Sequence, residues 1–240
     1  MNYREKLYST YVSTHTAHLY GEATIEGIRR QFPVWKSYYG RFLPKDKEAK
    51  ILDIGCGNGG FVYYLESLGY NNSAGIDISR EQVELAKNLG IKGIECADVV
   101  SFFNEKEETY DMVFARDVIE HFPKDRVLEL LESAFKSLKR GGVIIILTPN
   151  GESPFASRYL YGDFTHEAAF TTNSLNQVLK TVGFREFSFY STGPVPKGVK
   201  SVARFLIWKG IEAVLKFYIL VETGSSKGIF TQNIIATATK

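Results

Sequence analysis

The chain has 240 residues, and 29 basic against 27 acidic side chains leave a formal net charge of +2. With 44% hydrophobic and 23% charged residues, disorder and collagen-like structure are excluded, and the near-balanced charge argues against a general nucleic-acid binder. Two cysteines, Cys56 and Cys96, make neither a disulfide framework nor a zinc cluster, and with no apolar leader and no run of 18 apolar residues a cytoplasmic setting is expected.

Residues 1–44 read as an N-terminal helical cap. Ile25, Ile28, Phe32 and Trp35 have helical spacing, Pro33 marks a bend, and Pro44 closes the segment. Tyr3, Tyr8, Tyr11, His15 and His18 read either as a lid over a substrate or as packing residues. Residues 45–240 read as one α/β domain opened by the charged linker 45–50. Short apolar runs at 51–54, 73–77, 93–96, 111–115 and 143–147 predict strands, and 61–68, 81–89 and 126–138 predict helices. In the last, Val127, Leu130, Leu131, Ala134, Phe135 and Leu138 form one stripe. This alternation predicts a parallel sheet covered on both faces.

Two more strands are expected at 186–190 and 233–237, separated by a helical insert at 194–228. Within the insert, 199–221 is apolar but interrupted by Lys200, Arg204, Lys209, Glu212 and Lys216, which fall on about half of a helix circumference. The apolar face is expected to carry Val202, Phe205, Leu206, Val214, Leu215, Tyr218 and Ile219. Three readings stand: a helix packed on the sheet, a homodimer interface, or an element lying on a membrane surface. The last would put the protein at the periphery of the inner membrane.

The segment 53–60 lies between a predicted strand and a predicted helix. Gly55, Gly57 and Gly60 fit the dinucleotide pattern G-x-G-x-x-G, which admits an NAD-dependent oxidoreductase. Gly55, Gly57 and Gly59 behind Asp53 fit D-x-G-x-G-x-G, which suits S-adenosylmethionine, whose ammonium group favours a carboxylate such as Asp53. Asp77 ends the next strand, where an acid holds ribose hydroxyls. Asp98 follows the third strand and is read either as a partner of an adenine amino group or as a turn acid. Cys96 is expected in the core.

Ile51-Leu52-Asp53-Ile54-Gly55-Cys56-Gly57-Asn58-Gly59, Gly75-Ile76-Asp77-Ile78-Ser79, Ala97-Asp98 and Tyr110-Asp111-Met112-Val113 come in an order that resembles the class I S-adenosylmethionine-dependent methyltransferases. Arg116-Asp117-Val118-Ile119-Glu120-His121-Phe122, Leu138-Lys139-Arg140-Gly141-Gly142 and Leu147-Thr148-Pro149-Asn150 extend the likeness over residues 48–190. A narrower likeness, on Tyr161-Gly162-Asp163-Phe164-Thr165-His166-Glu167 and Phe230-Thr231-Gln232-Asn233, is to methyltransferases of bacterial capsule and lipopolysaccharide biosynthesis. The resemblance implies a Rossmann-like seven-stranded sheet with the last strand antiparallel and S-adenosylmethionine as cofactor. It carries Asp53, Gly55, Cys56 and Gly57 onto the methionine end, Asp77 onto the ribose, and Asp98 with its neighbour Val99 onto the adenine. Ile78 would pack on the adenine face, and the Arg116 backbone would lie near the sulfonium.

An alcohol acceptor needs a base to take its proton during methyl transfer. His121, after the fourth strand, and His166, after the fifth, are the two candidates, because imidazole accepts a proton at neutral pH. Asp163 is expected to orient His166. Glu120 is a weaker candidate that otherwise reads as a solvated helix residue. Asp117, Glu120 and His121 are close in sequence, but acids at a helix start suit the helix dipole, so no metal is assigned. The expected function is O-methylation of a sugar hydroxyl in a surface-glycan precursor, a step of polysaccharide biosynthesis, with a small phenol or quinone-like acceptor as the alternative. No nucleic-acid partner is expected.

Overall fold

The computed structural model describes residues 3–12, 14, 23–104 and 106–240. Seven strands form one sheet: β1 (Ile51–Ile54), β2 (Ser73–Asp77), β3 (Ile94–Cys96), β4 (Tyr110–Arg116), β5 (Leu138–Pro149), β6 (Arg185–Ser191) and β7 (Asn233–Thr239). Their order is β3-β2-β1-β4-β5-β7-β6. The first five strands run parallel, and β7 runs antiparallel between β5 and β6. The helices are α1 (Tyr3–Tyr8), α2 (Ile25–Tyr39), α3 (Gly60–Ser67), α4 (Arg80–Asn88), α5 (Val99–Phe103), α6 (Lys124–Ser137), α7 (Ala156–Leu160), α8 (Thr172–Val182) and α9 (Val199–Thr223). The expected seven-stranded fold with its antiparallel last strand is therefore what forms.

Side-chain alternation along the strands builds two cores. Leu52, Ile54, Val113, Ala115, Ile144 and Ile146 pack with Leu130 and Leu131 of α6 and Leu175 and Leu179 of α8. Ile51, Met112, Phe114 and Ile145 point the other way, onto Phe61, Tyr64 and Leu65 of α3 and Tyr39 of α2. A strand's period of two sends successive side chains to opposite faces, so both faces of the central strands must be apolar. Tyr39 is 1% exposed and meets Phe61 and Phe114 edge-on at 5.2 and 5.5 Å. α2 thus packs directly on α3 and the sheet. The helix continues through Pro33.

Two sequence expectations are corrected here. Cys96 is exposed, because β3 is the sheet's edge strand. On α9, Phe205, Leu215 and Ile219 are half-buried while Leu206, Val214 and Tyr218 are exposed, so the apolar residues divide between two faces. His15 and His18 and the side chain of Tyr3 lie outside the described residues.

From β1 the chain winds outward through β2 to β3, then crosses back to lay β4 against the other side of β1. Such a switch point opens a crevice at the carboxyl ends of the strands. All the loops described next meet there.

Candidate active site

A cavity of about 1300 Å³ opens at this switch point. One half is made by the β1–α3 turn and the ends of β2 and β3. Gly55 has φ 62°, and a Cβ on it would lie 2.5 Å from Val118 Cγ2, so only glycine lets the β4 loop close against this turn. The Gly57 amide donates to Asp77 Oδ2 and the Ser79 amide to Asp77 Oδ1, both at 2.8 Å. Asp77 therefore ties the glycine turn to the start of α4 while its carboxylate borders the cavity. Burial raises its pKa, and the two amides work against that rise.

Gly55, Gly57, Ile78, Asp98, Val99 and Arg116 also line the cavity. Ile78 is 52% exposed, an apolar surface left open beside Asp77. Asp98 caps α5, accepting the Ser101 amide at 3.0 Å, so its turn role and its place in the cavity wall coexist. Cys56 lies elsewhere. Its thiol is buried under β2, where a Cβ on Gly75 would come within 2.7 Å of Sγ. Burial pushes that thiol's pKa well up.

Asp53 departs from expectation. Its carboxylate is 0% exposed and is gripped by Arg116, with Nη2 to Oδ2 at 2.9 Å and Nε to Oδ1 at 3.3 Å. A buried carboxylate without water needs a cation, and the guanidinium fork supplies one in bidentate form. Arg116 also stacks over Phe61, 4.2 Å from the ring centroid. Arg116 thus ties down Asp53 through its side chain while it also lines the cavity. The carboxylate open to the cavity belongs to the next residue, Asp117, whose φ of 55° turns the chain out of β4. Its pKa is pushed up to about 6 by burial, with Asp53 adding to the rise and Arg116 opposing it. Sequence reading weighs Asp117 as a metal ligand, sets it down as a helix-start acid and gives it no cofactor role. Its place at the end of β4, beside the switch point, was the available signal.

The other half comes from side chains distant in sequence. A 3-10 turn, Ile119–His121, follows β4, and the loop between α7 and α8 brings Asp163, Thr165 and His166 against it. The Thr165 hydroxyl donates to Asp163 Oδ1 at 2.6 Å and lies 2.9 Å from His121 Nδ1. With its proton committed to a carboxylate, the hydroxyl accepts from Nδ1–H, which leaves Nε2 of His121 as a proton acceptor. His166 Nδ1 lies 3.1 Å from the Leu160 carbonyl, which only accepts, so this ring too keeps its lone pair on Nε2. These tautomers are assigned from the hydrogen-bond network. The rings meet at 4.7 Å between centroids, 68° apart. Asp163, expected to orient His166, reaches through Thr165 to His121, and the Leu160 carbonyl holds the His166 ring.

Glu120 is corrected from a solvated residue to a buried one. Oε2 accepts from Thr148 Oγ1 at 3.0 Å, and the main-chain carbonyl accepts from the Glu167 and Ala168 amides. Oε1 has no partner among the described residues. Burial above all, then Asp117, hold its pKa well above the usual range. Donor atoms of Glu120, His121 and His166 lie within 4.8 Å of one another. Opposite ligands of a bound cation stand about 4.2 Å apart at bond lengths near 2.1 Å.

Residues 8–12 roof the cavity. The Tyr11 hydroxyl donates to Asp163 Oδ2 at 2.5 Å, and the Val12 amide donates to Glu81 Oε2 at 3.0 Å. Tyr8 meets His121 edge-on at 6.4 Å. Tyr8 and Tyr11 therefore take the lid position, tied to both halves at once. Sequence reading gives Thr165 no role of its own, although it stands between Asp163 and His166 in the Tyr161–Glu167 motif.

Comparison with known proteins agrees with this layout. The family model described as "Methyltransferase domain" matches residues 28–186. O-methyltransferase 3 of Dictyostelium discoideum is 25% identical over 188 residues, which cover 68% of this chain and 43% of that protein. The chain thus spans less than half of that relative. A SAM-dependent methyltransferase from Archaeoglobus fulgidus has a TM-score of 0.65 at 23% identity, covering 90% of this chain and 97% of its own. Phosphoethanolamine N-methyltransferase 2 of Haemonchus contortus, solved with S-adenosyl-L-methionine, has a TM-score of 0.62 at 18% identity, covering 97% and 60%. The family match removes the dinucleotide reading of the glycine turn. Spanning more than half of the sequence, it shows that this chain belongs to the methyltransferase-domain family and has the fold of S-adenosylmethionine-dependent methyltransferases.

Proposed function

We propose that the protein is an S-adenosylmethionine-dependent O-methyltransferase whose acceptor is a sugar hydroxyl of a surface-glycan precursor. The cofactor half fits such a nucleoside. Asp77 offers acceptors for ribose hydroxyls, Ile78 an apolar face for adenine, Asp98 an acceptor near it, and Asp117 a carboxylate for an ammonium group. When bound, S-adenosylmethionine supplies a methyl group on a good leaving group.

The observation that carries the O-methyl reading is the chain Asp163–Thr165–His121. It fixes the His121 tautomer, which makes Nε2 the nitrogen that would take the acceptor hydroxyl's proton. A sugar hydroxyl has a pKa far above 7, and a positioned base contributes about 10²–10⁴-fold. The sugar reading is supported by the segments that carry the narrower resemblance. Gly162, Asp163, His166, Gln232 and Asn233 all border the cavity. The Asn150 side chain donates to the Ile229 and Thr231 carbonyls at 2.6 and 2.9 Å, tying the last segment in place.

The test is incubation with methyl-labelled S-adenosylmethionine and fractionated host extract. Label in nucleotide sugars or in lipid-linked or polymeric glycans is the expected result. Label confined to small phenols would replace the acceptor class, and label on amines would replace the O-methyl reading itself.

A further inference from the structure

The helix α9 carries apolar residues on two faces, one turned to the domain and one to solvent. At 100° per residue, Ala203, Leu206, Gly210, Val214, Phe217 and Val221 fall on one stripe about 80° wide. Leu206, Val214, Phe217 and Val221 are 63–71% exposed. The side turned inward holds the half-buried Phe205, Trp208, Leu215 and Ile219 together with Glu212. Phe205 and Trp208 share a crevice with Tyr38 and Tyr190. No residue of this helix is buried, and among the described residues nothing covers its outer stripe. An apolar face of this length turned to solvent marks an interaction surface.

The charges identify what it meets. Lys200 and Arg204 flank the stripe on one side, and Lys209 and Lys216 flank it on the other. Both of the latter pair with the inward Glu212, at 2.8 and 2.9 Å. Residues 197–227 hold six Lys and Arg against two Glu, a surplus of four, whereas the whole chain carries +2. The rest of the chain is therefore net −2, and the positive charge is concentrated in this insert, where Glu212 turns inward and Glu222 shares the side of Arg204. Two copies joined through α9 would set that surplus against itself, while an anionic lipid surface complements it. No helix among the described residues is long and apolar enough to cross a membrane, so the helix would lie in the interface plane.

We propose that α9 docks the protein on an anionic membrane surface, seating the Leu206–Val214–Phe217–Val221 stripe among the acyl chains and its flanking cations among the headgroups. Ser191 and Asn233, which bracket the insert, lie at the end of the sheet where β5 finishes, because Ile234 pairs with Ser191 and Asn233 with Pro149. Both ends of the insert thus leave the sheet at the end where the cavity opens. The proposal is independent of the acceptor's identity.

Flotation of the whole chain with vesicles of phosphatidylcholine plus phosphatidylglycerol tests it. Wild type is expected to float with these vesicles and to stay down with phosphatidylcholine alone. Leu206→Glu/Phe217→Glu is expected to lower binding at least about tenfold, with S-adenosylmethionine affinity and Tm retained, because both side chains are exposed. Lys200→Glu/Arg204→Glu is expected to lose the preference for anionic vesicles. Wild type that stays down with anionic vesicles overturns the proposal, as does double-Glu protein that floats equally well. A stable dimer in sedimentation that Leu206→Glu/Phe217→Glu dissociates overturns it too, assigning the stripe to a second copy.

Discussion

The two halves of the cavity are built on different principles. The half proposed to hold the cofactor is made largely of backbone: a glycine turn, an amide-bound Asp77, and strand ends that the sheet fixes in place. The acceptor half is made of side chains from the N-terminal roof, the β4 turn and the α7–α8 loop. Its links join residues 44 positions apart, from His121 to Thr165, and 152 apart, from Tyr11 to Asp163. A half fixed by backbone suits a constant cofactor. A half fixed by side chains on loops can be refitted to a new acceptor without disturbing the sheet. Substitutions in the two halves should therefore separate cofactor affinity from turnover.

The largest separation is expected at His121. His121→Ala should lower kcat by about 10²–10⁴-fold while calorimetry shows S-adenosylmethionine binding unchanged. His166→Ala should cost less, and the reverse order would exchange the two rings' roles. EDTA should leave the wild-type rate unchanged, whereas inhibition relieved by Mg²⁺ would make the Glu120–His121–His166 trio a metal site.

Gly55→Ala strikes the other half. Its Cβ would meet Val118 Cγ2 at 2.5 Å on a backbone with φ 62°. Left-handed strain and overpacking together should cost about 2–4 kcal/mol of stability, read by denaturant titration. Cofactor affinity should fall with it. Retained affinity would show that the turn does not shape the cofactor half. Thr165→Val keeps the side chain's shape but removes the hydroxyl between Asp163 and His121. Turnover should drop about tenfold at unchanged cofactor affinity, in keeping with the loss of about one hydrogen bond's worth of orientation. An equal drop with Thr165→Ser, which restores the hydroxyl, would mean that packing rather than hydrogen bonding is at work.

The same contrast explains what the sequence discloses. β1 and β2 are legible to the residue, because apolar runs bounded by Gly and Asp signal buried parallel strands. The strand expected at 143–147 is β5, Leu138–Pro149, and its first residues are hidden by Lys139, Arg140 and two glycines. The glycine turn and Asp77 are legible because their conformation and contacts follow from local geometry. The Thr165–His121 and Tyr11–Asp163 hydrogen bonds and the Arg116 grip on Asp53 are not, since each exists only through a partner brought near by the fold. For α9, periodicity reveals two faces but not which one the domain occupies.

The smallest expected effect is a pH dependence of stability from Asp117, the residue that joins the two halves. Burial raises its folded pKa to about 6, above its ordinary value. Between those two values the folded state binds the proton more tightly than the unfolded state does. Folding is therefore favoured by protonation there, and stability falls as pH rises toward and through about 6. The carboxylate is open to the cavity, so solvent screening makes the slope shallow. Asp117→Asn should flatten this part of the stability curve and weaken cofactor binding, since the variant offers an ammonium group no charge. The cofactor itself should steepen the contrast, because an ammonium beside Asp117 lowers its pKa and lifts wild-type stability most above pH 6. If wild type and the Asp117→Asn variant gain equal Tm from S-adenosylmethionine at pH 5 and at pH 8, Asp117 does not meet the cofactor, and the carboxylate belongs to the acceptor half alone.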